Sequence, residues 1–570
     1  MPLWVSPSAA VIMEYRLRLS ILGSIPSRSE EGPVKQQPAK RRLGAAMVAA
    51  AACAASLGLV APAQASAPDQ GGGPDFRSCD IKAHPKLECA EIEVPLNYSN
   101  PDGKQIKIAI SRVEATGSPE EYQGILLVNP GGPGGSGIGL AGFVASQLPD
   151  DVAAAYDVVG FDPRGVGRSE PAIHCVDAEK YYDPPRPDHV PDNWREEAEL
   201  LQRAKKYARG CAQNYGWMLP HMTTANTARD MDRIRGALGA EQINYFGYSY
   251  GTYLGSVYAT LFPDNVRRMV LDSIVNPKKV WYRLNLAQDY AFDQRINDFF
   301  GWVAKYDEVY HLGTSRKQVA AAWYSMRDKL ETNPAAGTVG PSELDDIYTP
   351  AGYADSVWPD LAKVFASYVN EGSEQALADA YEQYAAMDAS GENGYAVYLS
   401  VECRDAKWPR NWARWHNDAE RIYREAPFMV WSNTWYNAPC AFWSAPGGKP
   451  VQVSGKDLPP VLLLQATEDA ATPYPGAKVV HQKLKSSRLV VEVGGGNHGA
   501  ALGGNKCIDS YLFRYLRDGT LPADRKGPQP DATCQRDPAP KPSQQSTGKS
   551  ESPQGGQHVQ GLLRKARPRV

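Results

Sequence analysis

The feature that most constrains the fold is the pentapeptide Gly247-Tyr248-Ser249-Tyr250-Gly251, which has the pattern Gly-x-Ser-x-Gly. It follows a short apolar run, residues 242–246, and precedes residues 252–262, whose apolar side chains recur with helical spacing. A serine between a buried strand and a helix lies on a turn so tight that its flanking positions favour glycine, and its hydroxyl is exposed at the edge of the sheet. An ordinary glycine-rich turn is the competing interpretation, but this context favours a nucleophilic Ser249.

The composition bounds the size and class of the protein without specifying its fold. The chain has 570 residues, of which 43% are hydrophobic and 22% are charged, as is ordinary for a globular protein. This length suffices for one large domain with an insertion or for two domains. The formal net charge of -3 argues against a nucleic-acid footprint and against a general attraction to anionic membranes.

Residues 1–65 have the pattern of a leader segment. Lys40-Arg41-Arg42 precedes an uncharged, alanine-rich run, residues 43–60, and Ala63-Gln64-Ala65 offers a small-x-small cleavage site. This order is typical of a secretory signal peptide. The mature chain is therefore expected to begin near Ser66 and to be secreted.

Two other interpretations of the leader stay open at this point, an uncleaved membrane anchor and a lipoprotein signal at Cys53. The alanine-rich run is weakly hydrophobic for an anchor, and Cys53 lacks the leucine expected a few residues before it. Residues 1–39 are long for a leader, so the true start of translation could also lie within them. Export with cleavage explains most of the pattern.

Cysteine usage agrees with export. Removal of the leader leaves eight cysteines, and an even number in an exported chain favours disulfides over metal ligands. Pairing of sequence neighbours would close four local loops, although the sequence alone does not decide the connectivity. No two cysteines have C-x-x-C spacing, so no zinc, redox or other metal site is expected. The four neighbour pairs are Cys79–Cys89, Cys175–Cys211, Cys403–Cys440 and Cys507–Cys534.

Apolar runs predict a sheet with two kinds of strand. Residues 90–96 and 106–113 alternate apolar and polar side chains, and Asn100-Pro101-Asp102-Gly103 between them predicts a hairpin. Later runs are continuously apolar, as in parallel strands that helices cover on both faces. These runs are residues 124–128, 156–161, 242–246, 270–275, 461–465 and 489–493. Their alternation with helical segments predicts an α/β chain with a mostly parallel, doubly wound sheet.

The region between the two strand-rich parts is helical and rich in tryptophan. We interpret it, residues 281–450, as a cap inserted over the carboxyl edge of the sheet; alternatively, its aromatic rings simply pack its own core. The ten tryptophans are Trp281, Trp302, Trp323, Trp358, Trp408, Trp412, Trp415, Trp431, Trp435 and Trp443. The other expected parts are a flexible stretch 66–78, a sheet core in two segments 79–280 and 451–536, and a disordered tail 537–570.

A serine nucleophile needs a base, and the base needs an orienting carboxylate. His498 follows the last apolar run within a glycine-rich stretch, and it is the one histidine among nine in such a setting. Asp469 lies in the turn after a late apolar run, with Glu468 beside it as the rival and helix capping as its non-catalytic alternative. The pattern predicts a triad of Ser249, Asp469 and His498.

The glycine-rich stretch 129–137, Asn-Pro-Gly-Gly-Pro-Gly-Gly-Ser-Gly, directly follows a buried run. Such a stretch lets backbone amides point inward without obstruction by side chains. The amides of Gly132 and Tyr250 are therefore expected to stabilise the oxyanion of an acyl intermediate. A phosphate-binding loop is the competing interpretation, but no Lys-Ser/Thr follows the glycines and no dinucleotide fingerprint fits. No cofactor is expected.

Taken together, these motifs make the chain resemble the secreted tripeptidyl aminopeptidases of actinomycetes, within the proline-iminopeptidase-like α/β-hydrolases. The resemblance implies an α/β-hydrolase fold, Ser249, Asp469 and His498 as the triad, and an exopeptidase that releases short peptides from free N-termini. At Glu468 the chain departs from the family, which usually has an apolar or small polar residue there. The matching segments are residues 129–137, 162–169, 223–232, 247–255, 261–264, 469–473 and 497–499.

Two more pairs of charged residues call for an interpretation. Asp162 and Arg164 are expected to form a buried ion pair that braces the sheet edge rather than to contact a ligand. Glu402 and Asp405 flank Cys403 before the tryptophan-rich stretch, and they are candidates for binding the cationic amine of a substrate. Ordinary surface positions would explain them equally well.

The sequence thus predicts a secreted exopeptidase that acts on peptide or protein N-termini, without nucleic-acid partners or stable insertion into a membrane. A carboxylesterase or a prolyl aminopeptidase could use the same triad. A hydrolase-shaped binding protein of the cell envelope, without catalysis, is the alternative from another class.

Overall fold

The computed structural model describes residues 73–527 and 529–542. The predicted leader, with its alternative at Cys53, lies outside the described residues, as does the tail from residue 543 onward. Those interpretations therefore stay predictions.

The central element is a single sheet of ten strands in the described part of the chain. The strands are β1 (Arg77–Ser78), β2 (Glu88–Pro95), β3 (Gln105–Val113), β4 (Ile125–Asn129), β5 (Asp157–Phe161), β6 (Ile243–Tyr248), β7 (Val266–Asp272), β8 (Leu462–Ala466), β9 (Arg488–Val493) and β10 (Ala532–Gln535). Their spatial order is β1-β2-β3-β5-β4-β6-β7-β8-β9-β10. The pairs from β1 to β5 in this order are antiparallel, and all the pairs from β5 to β10 are parallel.

Helices cover the sheet, and they make up the chain segment that connects β7 to its neighbour β8. They are α1 (Ile138–Gln147), α2 (Asp150–Ala153), α3 (Ala178–Tyr181), α4 (Trp194–Tyr215), α5 (Thr224–Ala237), α6 (Tyr250–Leu261), α7 (Tyr282–Lys305), α8 (Asp307–Tyr310), α9 (Arg316–Thr332), α10 (Pro341–Tyr348), α11 (Pro350–Tyr353), α12 (Trp358–Glu371), α13 (Glu374–Tyr384), α14 (Ala389–Asp405), α15 (Trp412–Tyr423), α16 (Val430–Asn437), α17 (Pro475–Lys483) and α18 (Lys506–Asp518). Short 3-10 turns lie at Leu219–His221, Pro263–Asn265, Asp355–Val357 and Ala438–Phe442. In the part of the chain that the structure describes, no helix is long and apolar enough to cross a membrane.

The sheet confirms the predicted fold class. Every residue of β4, β6 and β8 is buried, which explains why these strands are continuously apolar in sequence. The outer strand β2 instead alternates buried and exposed residues over its central part, and it pairs antiparallel with β3 as the hairpin prediction requires.

Three strands differ from the sequence prediction. β7 begins at Val266, several residues before the apolar run that predicts it, because Arg267 and Arg268 interrupt the apolar pattern. The edge strands β1 and β10 are absent from the prediction. β1 has only two residues, and β10 reads Ala-Thr-Cys-Gln, so neither carries an apolar run.

The four predicted disulfides are confirmed. Cys79 is bonded to Cys89, Cys175 to Cys211, Cys403 to Cys440 and Cys507 to Cys534. The last of these links α18 to the edge strand β10. Each crosslink closes a local loop of the chain, which limits the conformations of the unfolded state.

The segment between β7 and β8 contributes helices α7–α16 and no strand of the sheet. Its tryptophans divide between clusters: Trp302, Trp323 and Trp358 pack within the insertion, whereas the cluster that contains the sheet core includes Trp281, Trp408, Trp415 and Trp443. Trp408 stacks on Trp415 with ring centroids 5.6 Å apart, and Trp431 stacks on Trp435 at 5.9 Å. Trp281 is different, because it lines the cavity described below.

This helical insertion has a partner that the sequence did not indicate, the segment around α4. Arg186, which precedes α4, forms ion pairs with Glu343 and Asp346 of α10 at 2.7 and 2.5 Å. The Trp412 indole N–H of α15 donates to Glu197 of α4 at 2.8 Å. These contacts join residues far apart in the chain, so no local sequence pattern predicts them.

The described parts of the two predicted flexible ends carry structure. Arg77 and Ser78 pair with β2, although they fall within the stretch 66–78 that was expected to be flexible. At the other end, the Trp302 indole N–H donates to the Pro540 carbonyl at 2.8 Å. The first residues of the predicted tail therefore contact the helical insertion.

Candidate active site

Ser249 lies on a strained turn between β6 and α6. Its backbone has φ 57° and ψ -126°, a conformation with positive φ that an L residue adopts only at a cost. The Ser249 N–H donates to the Asp272 carbonyl oxygen at 3.0 Å, which ties the turn to the adjacent strand β7. Because α6 begins at Tyr250, the unpaired amides of its first turn lie beside the serine.

The glycine-rich stretch after β4 approaches this turn closely. A Cβ atom at Gly131 would lie 2.7 Å from the Tyr248 carbonyl oxygen and 2.9 Å from both the Ser249 Cβ and the Tyr250 nitrogen. Gly131 also has φ +93°, which favours glycine. Any larger residue there would push the stretch that carries Gly132 away from the serine.

His498 lies in the loop after β9 and contacts Asp469, which lies in the loop after β8. The His498 Nδ1 lies 3.0 and 2.9 Å from the two carboxylate oxygens of Asp469. Both side chains are buried, and Thr472 donates to the same carboxylate through its backbone N–H at 2.9 Å and its hydroxyl at 2.8 Å. Glu468 instead accepts a hydrogen bond from the Gln294 side chain at 2.9 Å. Of the two candidate acids, Asp469 is the one that contacts the imidazole.

One cavity brings these elements together. From the sheet core it is lined by Gly132, Ser249, Tyr250, Thr472 and His498. From the helical insertion it is lined by Trp281, Asn285, Tyr353, Tyr398 and Glu402. The predicted nucleophile, the predicted base and both predicted oxyanion donors therefore lie on this cavity, and Asp469 lies directly behind the imidazole.

The histidine loop is held from both sides. From the sheet, the Ser273 hydroxyl accepts from the Gly499 N–H at 2.7 Å, and the Asp272 carboxylate accepts from the N–H groups of Ala500 and Ala501 at 3.0 and 2.7 Å. From the insertion, the Tyr353 carbonyl accepts from the His498 N–H at 2.8 Å.

Two further contacts strengthen the grip of the insertion on this loop. The Tyr353 ring meets the imidazole of His498 edge-on, with ring centroids 5.5 Å apart. The Asp355 N–H donates to the side-chain oxygen of Asn497 at 2.9 Å.

Sequence reasoning missed the residues that hold the histidine loop. Asp272 ends the observed strand β7 and Ser273 follows it, at the carboxyl edge of the sheet, where open α/β sheets bind their ligands. The available signal was that these two polar residues interrupt the apolar run 270–275. Tyr353 contributes its carbonyl oxygen and its ring, and no local pattern singles it out.

The Asp272 carboxyl leads to a prediction about stability and pH. Burial raises its pKa from 3.8 to about 7. Between these values the folded protein binds a proton that the unfolded chain releases, so the contribution of Asp272 to stability falls as the pH rises through this range. Relative to Asp272→Asn, the wild-type free energy of unfolding should fall by about 2–3 kcal/mol between pH 5 and pH 8. Urea unfolding of both proteins measures it.

The exposed Asp457 provides the matched control, since it lies in a solvated loop. Asp457→Asn should show no comparable change with pH. Parallel stability curves for wild type and Asp272→Asn would contradict the prediction.

The two candidate amine-binding carboxylates occupy different settings. Glu402 lines the cavity and is 3% exposed. The Asp405 carboxylate accepts from the Thr224 N–H at 2.9 Å and from the Thr224 hydroxyl at 2.5 Å, and burial raises its pKa to about 6. Asp405 therefore caps the start of α5, and neither residue is an ordinary surface charge.

The predicted Asp162–Arg164 ion pair is wrong in its acidic partner. Arg164 is buried and binds Asp230 of α5 through two nitrogens, at 2.7 and 2.6 Å. Asp162 accepts instead from the Ser136 hydroxyl at 2.5 Å and from the N–H groups of Gly137 and Arg168. Both residues are structural, as expected, because their polar atoms are engaged within the protein. The prediction paired Arg164 with an acidic residue close to it in the sequence, whereas the carboxylate that binds Arg164 comes from Asp230 of helix α5.

Comparison with known families agrees with this architecture. A family model described as the alpha/beta hydrolase fold matches residues 124–336, and one described as TAP-like protein matches residues 426–534. The first match includes Ser249, and the second includes Asp469 and His498. Fold and site thus define the class of the protein, an α/β hydrolase.

Curated relatives narrow this class. The tripeptidyl aminopeptidase of Streptomyces coelicolor is 47% identical over 480 residues, covering 82% of this chain and 87% of the relative. The serine protease Hip1 of Mycobacterium tuberculosis is 33% identical, covering 76% and 86%. Carboxylesterase B of the same species is 32% identical, covering 76% and 85%. The chain belongs to the tripeptidyl aminopeptidase family of α/β hydrolases.

Proposed function

We propose that this protein is a secreted serine exopeptidase that releases short peptides, chiefly tripeptides, from free N-termini. The observation that carries the proposal is the contact between His498 and Asp469 on the cavity that Ser249 also lines. Membership of a family that includes a tripeptidyl aminopeptidase at 47% identity supports the substrate class.

In the proposed mechanism the Ser249 hydroxyl attacks the carbonyl carbon of the scissile peptide bond while His498 accepts its proton. Asp469 holds the imidazole with its Nδ1 proton directed at the carboxylate, and it stabilises the imidazolium that forms. The N–H groups of Gly132 and Tyr250 bind the oxyanion of the tetrahedral intermediate. His498 then gives the proton to the departing amine, which leaves an ester between Ser249 and the released segment.

Water completes the cycle. His498 removes a proton from a water molecule as its oxygen attacks the ester, and the proton returns to the Ser249 oxygen when the ester bond breaks. The products are a short peptide with a free carboxylate and the shortened substrate with a new N-terminus. No redox change and no further reactant is involved.

An exopeptidase must also recognise the N-terminal ammonium group. We assign this role to Glu402, because this buried acidic residue lines the cavity from the side of the insertion. A buried carboxylate attracts a cation strongly since little water competes for it. Asp405 has no part in this assignment, because Thr224 engages both of its oxygens.

Secretion is part of the proposal. Four disulfides in the described residues favour an oxidising compartment, and the leader pattern of residues 1–65 supplies a route of export. The substrates would then be extracellular peptides and the N-termini of proteins.

A carboxylesterase with the same triad is the second candidate, favoured by the 32% identical relative named carboxylesterase B. The two candidates differ in whether a free amine contributes to catalysis. The test compares kcat/KM on a free-amine tripeptide anilide, its N-acetylated form and a simple aryl acetate. Exopeptidase function requires that acetylation lower kcat/KM by about 10²-fold or more, because it removes the charge that Glu402 binds.

Glu402→Gln refines the same experiment. In this variant kcat/KM on the free-amine substrate should fall, since the glutamine side chain is neutral. The gap, meaning the ratio of kcat/KM between the free-amine and the acetylated substrate, should therefore narrow. Glu371→Gln, on the exposed end of α12, is the matched control and should keep the gap. Equal activity of the wild type on free and blocked substrates would refute the exopeptidase and favour the esterase.

A further inference from the structure

We infer that Asn285 recognises the main chain of the segment to be released, by donating a hydrogen bond from its side-chain amide to a carbonyl oxygen upstream of the scissile bond. This inference rests on the proposed exopeptidase function and adds a specificity-determining residue to it.

Asn285 combines burial with an unused donor. It lies on α7 and lines the cavity that contains Ser249, and it is only 6% exposed. Among the described residues, its Nδ2 has no hydrogen-bond partner. Leaving a buried amide donor unpaired is costly, and most such groups are paired in folded proteins. A carbonyl oxygen of a bound peptide would supply the missing acceptor.

Three other polar side chains on the cavity wall, those of Tyr250, Gln288 and Thr472, already have partners. The Tyr250 hydroxyl is hydrogen-bonded to the Thr224 hydroxyl at 2.7 Å. The Gln288 amide donates to the Ala471 carbonyl at 2.6 Å, and the hydroxyl of Thr472 donates to Asp469. These groups shape the wall, whereas the Asn285 amide is available to a ligand.

The position of Asn285 is fixed independently of its amide. Its backbone carbonyl accepts from the Asn433 side chain at 3.2 Å, and the same Asn433 amide donates to Asp289 at 2.7 Å. Asn437 donates in turn to the Asn433 carbonyl at 2.9 Å. This bracing holds α7 against α16 through the main chain, so a substitution of the Asn285 side chain keeps it.

Such a donor distinguishes peptides from simple esters. A tripeptide has two carbonyl groups upstream of the scissile one, whereas an acetyl ester has none. A site built to hydrogen-bond a substrate group discriminates strongly against substrates that lack it, because its own polar atom then stays unpaired. Asn285 would thereby favour substrates with a peptide main chain over short acyl esters.

The first experiment compares substrates across variants at Asn285. Asn285→Asp keeps the shape and removes the donor, and Asn285→Leu removes all polarity. In both variants the ratio of kcat/KM on the free-amine tripeptide anilide to that on an aryl acetate should fall by about tenfold or more. Asn370→Asp makes the same chemical change on α12, where the amide donates to the Tyr310 carbonyl, and should keep the wild-type ratio.

The second experiment changes the substrate, and its first comparison uses the wild-type protein alone. Two tripeptide anilides each carry an (E)-alkene in place of one upstream amide, which removes one carbonyl at a time. One of them should be cleaved by the wild type about tenfold more slowly than the parent substrate, and in Asn285→Leu it should be cleaved as fast as the parent.

The outcomes separate the inference from the proposed function. Unchanged ratios in the Asn285 variants, or alkene effects that persist fully in Asn285→Leu, overturn the role of Asn285 while the exopeptidase stands. A wild-type protein that hydrolyses the aryl acetate but no free-amine tripeptide overturns both.

Discussion

Replacement of Ser249 by alanine is expected to lower kcat/KM on a free-amine tripeptide anilide by about 10⁴-fold or more. The hydroxyl oxygen is the atom that forms the acyl bond, and without it only the oxyanion donors and substrate binding contribute to catalysis. Alanine can take the same backbone conformation, φ 57°, at a similar cost, so the fold should be kept. Initial rates with the anilide and labelling by an organophosphonate probe measure the effect.

Ser256→Ala is the matched control for this variant. Ser256 lies two turns further along α6, and its hydroxyl donates to the Thr252 carbonyl at 2.7 Å. It should retain both activity and labelling. If Ser249→Ala kept its activity, the serine mechanism would be wrong. A wild-type protein that neither hydrolysed the anilide nor reacted with the probe would instead favour the non-catalytic binding protein of the envelope.

The second large effect is expected at Asp469. Asp469→Asn should lower kcat/KM by about 10³–10⁴-fold, because an amide that donates to Nδ1 leaves the imidazole of His498 with its proton on Nε2, where it cannot accept the serine proton. The Thr472 backbone N–H favours this orientation. This N–H can donate only to an oxygen, so the amide oxygen of the asparagine should take the place of Asp469 Oδ1. The amide nitrogen then takes the place of Oδ2, which lies 2.9 Å from the His498 Nδ1. Initial rates on the anilide measure the loss.

Glu468→Gln tests the rival acid in the same assay. Glu468 accepts a hydrogen bond from Gln294 away from the imidazole, so its substitution should change kcat/KM by no more than about twofold. A large loss in Glu468→Gln together with a mild effect in Asp469→Asn would reverse the assignment of the acid.

Local chemistry explains what the sequence could predict. The pentapeptide around Ser249 and the apolar runs of β4, β6 and β8 encode a buried parallel sheet with a tight turn, because each element uses residues adjacent in the chain. The four disulfides join cysteines that are neighbours in the sequence, a pairing that the sequence suggested but did not decide. The same locality located His498 and Asp469, each in the turn after a strand.

The features that the sequence did not predict depend on contacts between residues far apart in the chain. The carboxylate that binds Arg164 comes from Asp230 on a helix, and the nearby Asp162 was an attractive but wrong partner. The strands β1 and β10 carry too few apolar residues to stand out, and they are stabilised by pairing with β2 and β9. The separate settings of Glu402 and Asp405 depend on which face of α14 meets the cavity, and their spacing alone did not decide this.

The carbonyl of Tyr353 that holds the His498 amide has a consequence for how substrates get in. A rigid-body movement of the insertion away from the sheet would break this hydrogen bond or displace His498, so we expect substrates to enter without such a movement. Smaller rearrangements within the insertion would leave His498 in place. The narrow opening that they provide would admit the end of a peptide chain more readily than the surface of a folded protein. The entrance to the cavity would then already select for N-termini, before any residue that lines the cavity contacts the substrate.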